Sequence, residues 1–161
     1  MEYTDLAADF ARRTLQNLDY VQKQARRGEE GVYEVTQLWN SLLGLIVLPH
    51  ERVIRRLPTT PRTEMSPQGW PLVTTAGGEP KSLRDLVRRL RNAVAHFNVE
   101  FNAGFNREIT SVTMWNEKMD ENRKPIPDSR GWVGRIEVAE LEDLARLIAN
   151  TYVETFASTA A

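Results

Sequence analysis

The chain has no cysteine, which excludes disulfides, thiolate metal sites and a cysteine nucleophile, and fits a reducing compartment. Histidine is nearly as scarce. His50 and His96 are the two in 161 residues, and their spacing matches no metal-ligand pattern, so no metal and no cofactor is expected. Long apolar runs are missing too. The longest lies in Leu42 to Leu48, far short of the roughly 20 residues that span a bilayer. The start, MEYTDLAADF, lacks the basic and apolar regions of a signal peptide. The expectation is a cytoplasmic protein without membrane attachment. Net charge of one sign is also absent: at −1, no global field draws the chain onto nucleic acid, and any basic surface must be local. No P-loop, dinucleotide fingerprint, serine-hydrolase elbow or internal repeat occurs in the sequence.

What is present is ordinary in amount and unusual in kind. Hydrophobic content of 41% and charged content of 27% are those of a globular chain, and the length suits one domain, 1–161. Seventeen arginines stand against four lysines. That bias suits planar, forked contacts to phosphate or carboxylate, although a high genomic G+C content gives the same bias without functional meaning.

Taken in order, Thr4 to about Arg27 reads as a helix, with Tyr3, Ala7, Phe10, Leu18, Val21 and Ala25 on one face and Gly28 ending it. Val32 to about Leu48 reads as a second helix, apolar nearly all round, in which Gly44 would allow close approach of another backbone. After Pro49, residues 51–57 continue it until Pro58. Residues 58–80 hold five prolines and three glycines without a period and read as a long loop. It would be either a lid over the polar face of the next helix or a simple connector. A β-prone run from Ile109 to Trp115 and another from Trp132 to Val138 predict a two-stranded hairpin with a long tip, within 107–138. A last helix follows from Ala139 to about Phe156, with Glu140, Glu142 and Asp143 in its first turn. The predicted architecture is mainly α: an antiparallel helical bundle with one β-hairpin before the C-terminal helix.

The most informative stretch is Lys81 to Phe101, KSLRDLVRRLRNAVAHFNVEF, which reads as one amphipathic helix. Leu83, Leu86, Val87, Leu90, Val94, Phe97 and Phe101 form an apolar stripe. Ser82 followed by Asp85 is a capping-box-like start. The polar face carries Arg84, Arg88, Arg91, Asn92 and His96. Ala95 leaves an open seat there, flanked by a guanidinium, an amide and an imidazole. Such a seat suits a phosphodiester: arginine forks to phosphate oxygens, and histidine moves a proton near neutral pH. The plain alternative for His96 is a surface histidine paired with Asn92 four residues away. Arg84, Arg88 and Arg89 would guide an RNA backbone, against the commoner reading of a solvated basic face. Glu51 is an auxiliary acidic candidate, whereas His50 beside Pro49 reads as local structure. Trp115 and Trp132 would stack on bases or, as large aromatics more often do, pack the hairpin.

The block RNAVAHF, Arg91 to Phe97, resembles the signature of the HEPN superfamily, the small helical domains of prokaryotic toxins and defence ribonucleases. In that signature an arginine is followed by four to six residues, the first usually polar, and then a histidine. The apolar second helix ending LLGLIVLPHE is also similar to one prokaryotic HEPN nuclease branch. One departure is Asn98, where many HEPN toxins carry a tyrosine two residues after the histidine.

The resemblance implies a metal-independent endoribonuclease acting as a homodimer, with two copies of the motif meeting across a cleft. His96 would assist attack of the 2′-hydroxyl or protonate the leaving oxygen. Arg91 would stabilise charge on the phosphoryl oxygens and Asn92 would orient His96 or the phosphate. The product would be a 2′,3′-cyclic phosphate. RNA is the expected partner, with an antitoxin or sensor protein where the setting is toxin–antitoxin or antiviral defence. The other class of function the sequence leaves open is a non-catalytic HEPN-like module binding RNA, a nucleotide or a protein.

Overall fold

A computed structural model of the chain describes residues 3–29, 34–49, 51–61, 64, 70–105 and 108–157, without the side chains of 3–5 and 157. His50 and much of 62–69 lie outside that set. The chain divides into two compact units, residues 1–58 with 141–161, and residues 59–140.

The first unit is helical. It contains α1 (Tyr3–Arg26), α2 (Glu34–Val47), the short α3 (Glu51–Ile54) and α5 (Leu141–Ala157), the last preceded by a 3₁₀ turn at Val138–Glu140. Helix α5 packs on both α1 and α2. The seam of α1 is narrower than the predicted stripe. Ala7, Ala8, Ala11, Thr14 and Leu18 are buried, and the small side chains of the three alanines let a partner helix approach closely. From α5, Leu141, Leu144, Ala145, Ile148, Tyr152 and Phe156 fill the core, as the helical period requires.

Gly28 ends α1 in a left-handed conformation, φ +71°. Its N–H donates to the Ala25 carbonyl at 3.0 Å, and that of Glu29 donates to Gln24 at 3.3 Å, the paired bonds of a Schellman cap. Gly44 is close not to a backbone but to a ring: a Cβ there would lie 2.8 Å from Phe10 Cζ. Arg146 of α5 bonds Glu142 one turn away and reaches Asp19 of α1 at 2.6 Å. Gln22 donates to the same Glu142.

The second unit is an antiparallel sheet with one helix on it. Strands β1 (Val73–Ala76), β2 (Val99–Ala103), β3 (Ile109–Asn116) and β4 (Trp132–Glu137) lie in the order β1-β4-β3-β2. Helix α4 (Leu83–Ala95) packs on β3. Leu83, Leu86, Val87, Leu90 and Ala93 of the helix are buried, as are Val112, Met114, Trp132, Val133 and Ile136 of the sheet. The predicted hairpin is therefore the centre of a four-stranded sheet, and the fold is mixed α/β rather than mainly α. β1 lies inside the stretch read as a loop.

The largest correction concerns residues 81–101. Helix α4 stops at Ala95 because Phe97 turns left-handed, φ +57°. The Phe97 N–H donates to the Val94 carbonyl at 3.0 Å and the Asn98 N–H to Ala93 at 2.8 Å. This is the same cap that Gly28 makes for α1. The chain then reverses into β2, where Val99 pairs with Met114 and Phe101 with Val112. Phe97 is 91% exposed and Phe101 48% exposed. They extend the helical spacing by coincidence, and Ala93 completes the buried face instead.

Candidate functional site

Helix α4 is set by its start. Ser82, at φ −159° and ψ 169°, accepts the Asp85 N–H on its hydroxyl at 3.3 Å. The Asp85 carboxylate accepts the N–H of Lys81, the residue before the cap, at 3.0 Å, so the predicted start forms as a variant of the capping box whose return bond reaches one residue further back. Partial burial pushes the Asp85 carboxyl up, but the Lys81 N–H and the neighbouring Arg89 and Arg88 charges outweigh it and hold the group below its ordinary value.

Arg89 is committed to this scaffold. It bonds Asp85 at 3.1 Å and the Gly78 carbonyl at 3.1 Å, and its guanidinium lies 5.6 Å from the Trp132 ring centroid. Arg84, half-buried, and Arg88, exposed, fall with Arg91 and Ala95 along one row of the helix, at i, i+4, i+7 and i+11. With about 100° per residue, His96 lies about 140° around the axis from Arg91 but about 40° from Asn92.

That difference decides what shares a cleft. Asn92 and His96 line an opening of about 50 Å³ together with Asn98, Asn116, Glu117, Met119 and Pro125. Half-buried Arg91 is not among these described lining residues. Its side chain belongs to the adjoining arginine row. Glu51 belongs to the helical unit, where it pairs with Arg55 at 3.4 Å. Trp132 is buried, and the half-buried Trp115 lies under Arg130, whose guanidinium is 4.3 Å from the ring centroid. Both tryptophans pack.

The far wall of the cleft comes from the end of β3 and the tip that follows. The Asn116 side-chain amide donates to the Arg89 carbonyl at 3.1 Å, tying strand to helix. The Asn116 carbonyl accepts the Gly131 N–H at 2.7 Å, and the Trp115 N–H donates to the Asn98 carbonyl at 3.1 Å. The segment, read from sequence as the long tip of the hairpin, has its own order. One Asp120 carboxylate oxygen accepts the N–H groups of Asn122 and Lys124, each at 2.8 Å. The Ile126 N–H returns to the Lys118 carbonyl at 2.8 Å, and Met119 bridges to Pro125. This small fold brings Met119 and Pro125 beside His96. Asn98 was marked in the sequence only as a departure from the HEPN pattern, and Asn116 and Glu117 carried no signal beyond standing at the edge of a predicted strand.

Among the described residues no group of three or more histidine or acidic side chains is placed to hold a metal ion, and no helix is long and apolar enough to cross a membrane. A family model described as HEPN pEK499 p136 matches residues 1–158. The chain belongs to this HEPN family. No curated protein and no solved structure is detectably similar to it.

In this HEPN chain the RNAVAH block spans the end of α4: Arg91 to Ala95 are helical and His96 is the capping residue. The motif histidine thus stands on the last turn, exposed, at the point where the chain reverses. Its imidazole has no side-chain hydrogen bond or ion pair with another described residue, Asn92 included. The surface-pair alternative, in which Asn92 holds it, does not describe this geometry.

Proposed function

We propose that this HEPN domain is an endoribonuclease that cleaves by attack of the 2′-hydroxyl, leaving a 2′,3′-cyclic phosphate. The observation that carries the reading is the shared cleft of Asn92 and His96 on the last turns of α4, in a chain of HEPN membership. An exposed imidazole with no described partner is available to move a proton at the scissile phosphodiester. Asn92 offers an amide N–H₂ and carbonyl to the sugar or phosphate. The row of Arg84, Arg88 and Arg91 rises about 6 Å per four residues and presents forked donors to an RNA backbone. Arg91, nearest the cleft, is assigned to the phosphoryl oxygens. Side chains supply all of this chemistry, so the reaction is proposed to run without metal. The HEPN resemblance further supports a homodimer that brings two copies of the motif together across a cleft, and a setting in toxin–antitoxin or antiviral biology.

The test is cleavage of a mixed RNA pool in EDTA by wild type, His96→Ala and Arg91→Ala, with the 5′ fragments examined for a cyclic phosphate. Wild type is expected to cleave, and both variants to lose activity by about 10²-fold or more with their fold intact. RNA binding without cleavage by wild type, weakened by Arg91→Ala, would replace the reading with a non-catalytic binding module.

A further inference from the structure

The reaction just described needs one group to take a proton from the 2′-hydroxyl and another to give one to the leaving oxygen. We propose that the acceptor is Glu117 of the same protomer, so that each chain carries its own acid–base pair. This inference rests on the ribonuclease reading and names a residue that the HEPN motif does not contain.

Three observations carry it. First, Glu117 lines the cleft that Asn92 and His96 line. His96 from α4 and Glu117 from the end of β3 are the titratable groups among the described residues there; the others are three asparagines, Met119 and Pro125. The opening is small enough for one ribose hydroxyl or phosphoryl group to meet both walls.

Second, the backbone around Glu117 is held from both sides. Asn116 is tied to Arg89 and to Gly131. The Lys118 N–H donates to Ser129 Oγ at 2.8 Å, and that hydroxyl donates to the Ile126 carbonyl at 2.6 Å. Gly131 lies against this segment so closely that a Cβ there would be 3.2 Å from both the Glu117 carbonyl oxygen and Lys118 Cα.

Third, the Glu117 side chain is half-buried and has no hydrogen bond or ion pair with another described residue. Its neighbours in the sheet are different. Glu100 pairs with Arg130 at 3.3 Å and Glu137 with Arg135 at 3.0 Å. A carboxylate on a fixed backbone, facing an imidazole's cleft and unspent on structure, is poised for proton transfer.

The step balances within the chain. The Glu117 carboxylate takes the 2′-hydroxyl proton as the 2′-oxygen bonds to phosphorus. Protonated His96 gives its proton to the 5′-oxygen as the bond from phosphorus to that oxygen breaks. The products are a 2′,3′-cyclic phosphate and a free 5′-hydroxyl. Glu117 is left protonated and His96 neutral, and exchange with water resets both.

The experiment compares wild type, Glu117→Gln, Glu117→Asp and His96→Ala in RNA cleavage across pH, with thermal melts of each. Glutamine keeps the shape and polarity but takes no proton. Glu117→Gln is expected to lower kcat by about 10²- to 10⁴-fold with KM little changed, and to abolish the acidic limb of the pH–rate profile. Glu117→Asp should retain part of the activity and keep that limb. A mixture of Glu117→Gln and His96→Ala chains should stay inactive, since neither carries a complete pair.

Glu117→Gln cleaving within threefold of wild type with the acidic limb intact would overturn the proposal while leaving His96 catalysis standing. Activity restored by mixing the two variants would overturn the same-protomer assignment. If Glu117→Gln does not fold, an aspartate variant whose acidic limb is unmoved and whose rate equals wild type would overturn it as well. An inactive wild type would remove the ribonuclease reading itself.

Discussion

The side-chain amide of Asn116 donates to the main-chain carbonyl of Arg89 at 3.1 Å. Through this bond the end of β3 is fixed against the middle of α4, about two helical turns before His96. Residues 89 and 116 are distant in sequence, yet the bond decides which groups face His96. Each side of the cleft brings one titratable group among the described residues, His96 from the helix and Glu117 from the segment after β3.

Asn116→Ala tests that relationship. Loss of one part-buried hydrogen bond should cost about 1 kcal/mol, read from urea midpoints. Cleavage should fall by about tenfold or more, since misplacement of a catalytic group by even a fraction of an ångström lowers the rate steeply. A stability loss with full activity would show that the cleft does not depend on this tie.

Phe97 holds the C′ position of a Schellman cap at φ +57° with its ring 91% exposed. A bulky side chain there carries left-handed strain and gains little by burial. Phe97→Gly should therefore raise stability by about 1 kcal/mol, whereas Phe97→Ala should not. Thermal melts of the two variants decide it. Equal melting points would mean that the strain is negligible.

Asp85 gives a pH dependence with a definite sign. Burial raises its pKa, but the Lys81 N–H and the Arg89 and Arg88 charges lower it further, leaving it under the ordinary 3.8. Below 3.8 the unfolded chain therefore takes up protons before the folded one does. The stabilisation is complete above 3.8 and is lost as pH falls through the folded value. Asp85→Asn should be less stable than wild type at pH 7, and the gap should close in acid. A gap of the same size at every pH would assign the effect to capping geometry rather than charge.

Gly77, at φ +80°, leaves no room for a side chain: a Cβ would lie 1.9 Å from the Gly131 carbonyl oxygen. Gly77→Ala combines a backbone clash with a disfavoured conformation and should cost roughly 2–4 kcal/mol. Gly78→Ala is the control, since φ is +77° there but nothing lies within 4 Å, and it should cost about half as much or less. Denaturant melts of the pair separate the clash from the strain.

Much of this protein was legible because it is written locally. The helical periods of α1, α2 and α5, the Ser82–Asp85 cap, Gly28 as a stop and the strands β3 and β4 depend on neighbours a few residues apart, whose geometry is set by 3.6- and 2-residue repeats. The RNAVAH block is likewise local, and it carries the HEPN resemblance without any tertiary contact. Phe97 marks the limit. It ends α4 with the cap that Gly28 makes for α1, but a phenylalanine carries no sign of a left-handed turn. Its spacing, with that of Phe101, imitated nearly two more turns of helix.

Strands β1 and β2 were hidden for a related reason. With burial patterns that do not alternate, they are strands because β4 and β3 pair with them, not because of their own composition. The placement of Glu117 beside His96 belongs to the same class. It depends on register, on a folded tip and on one strand-to-helix hydrogen bond, all contacts between distant residues. Sequence order determined the helix that carries the histidine, and tertiary packing alone determined what that histidine faces.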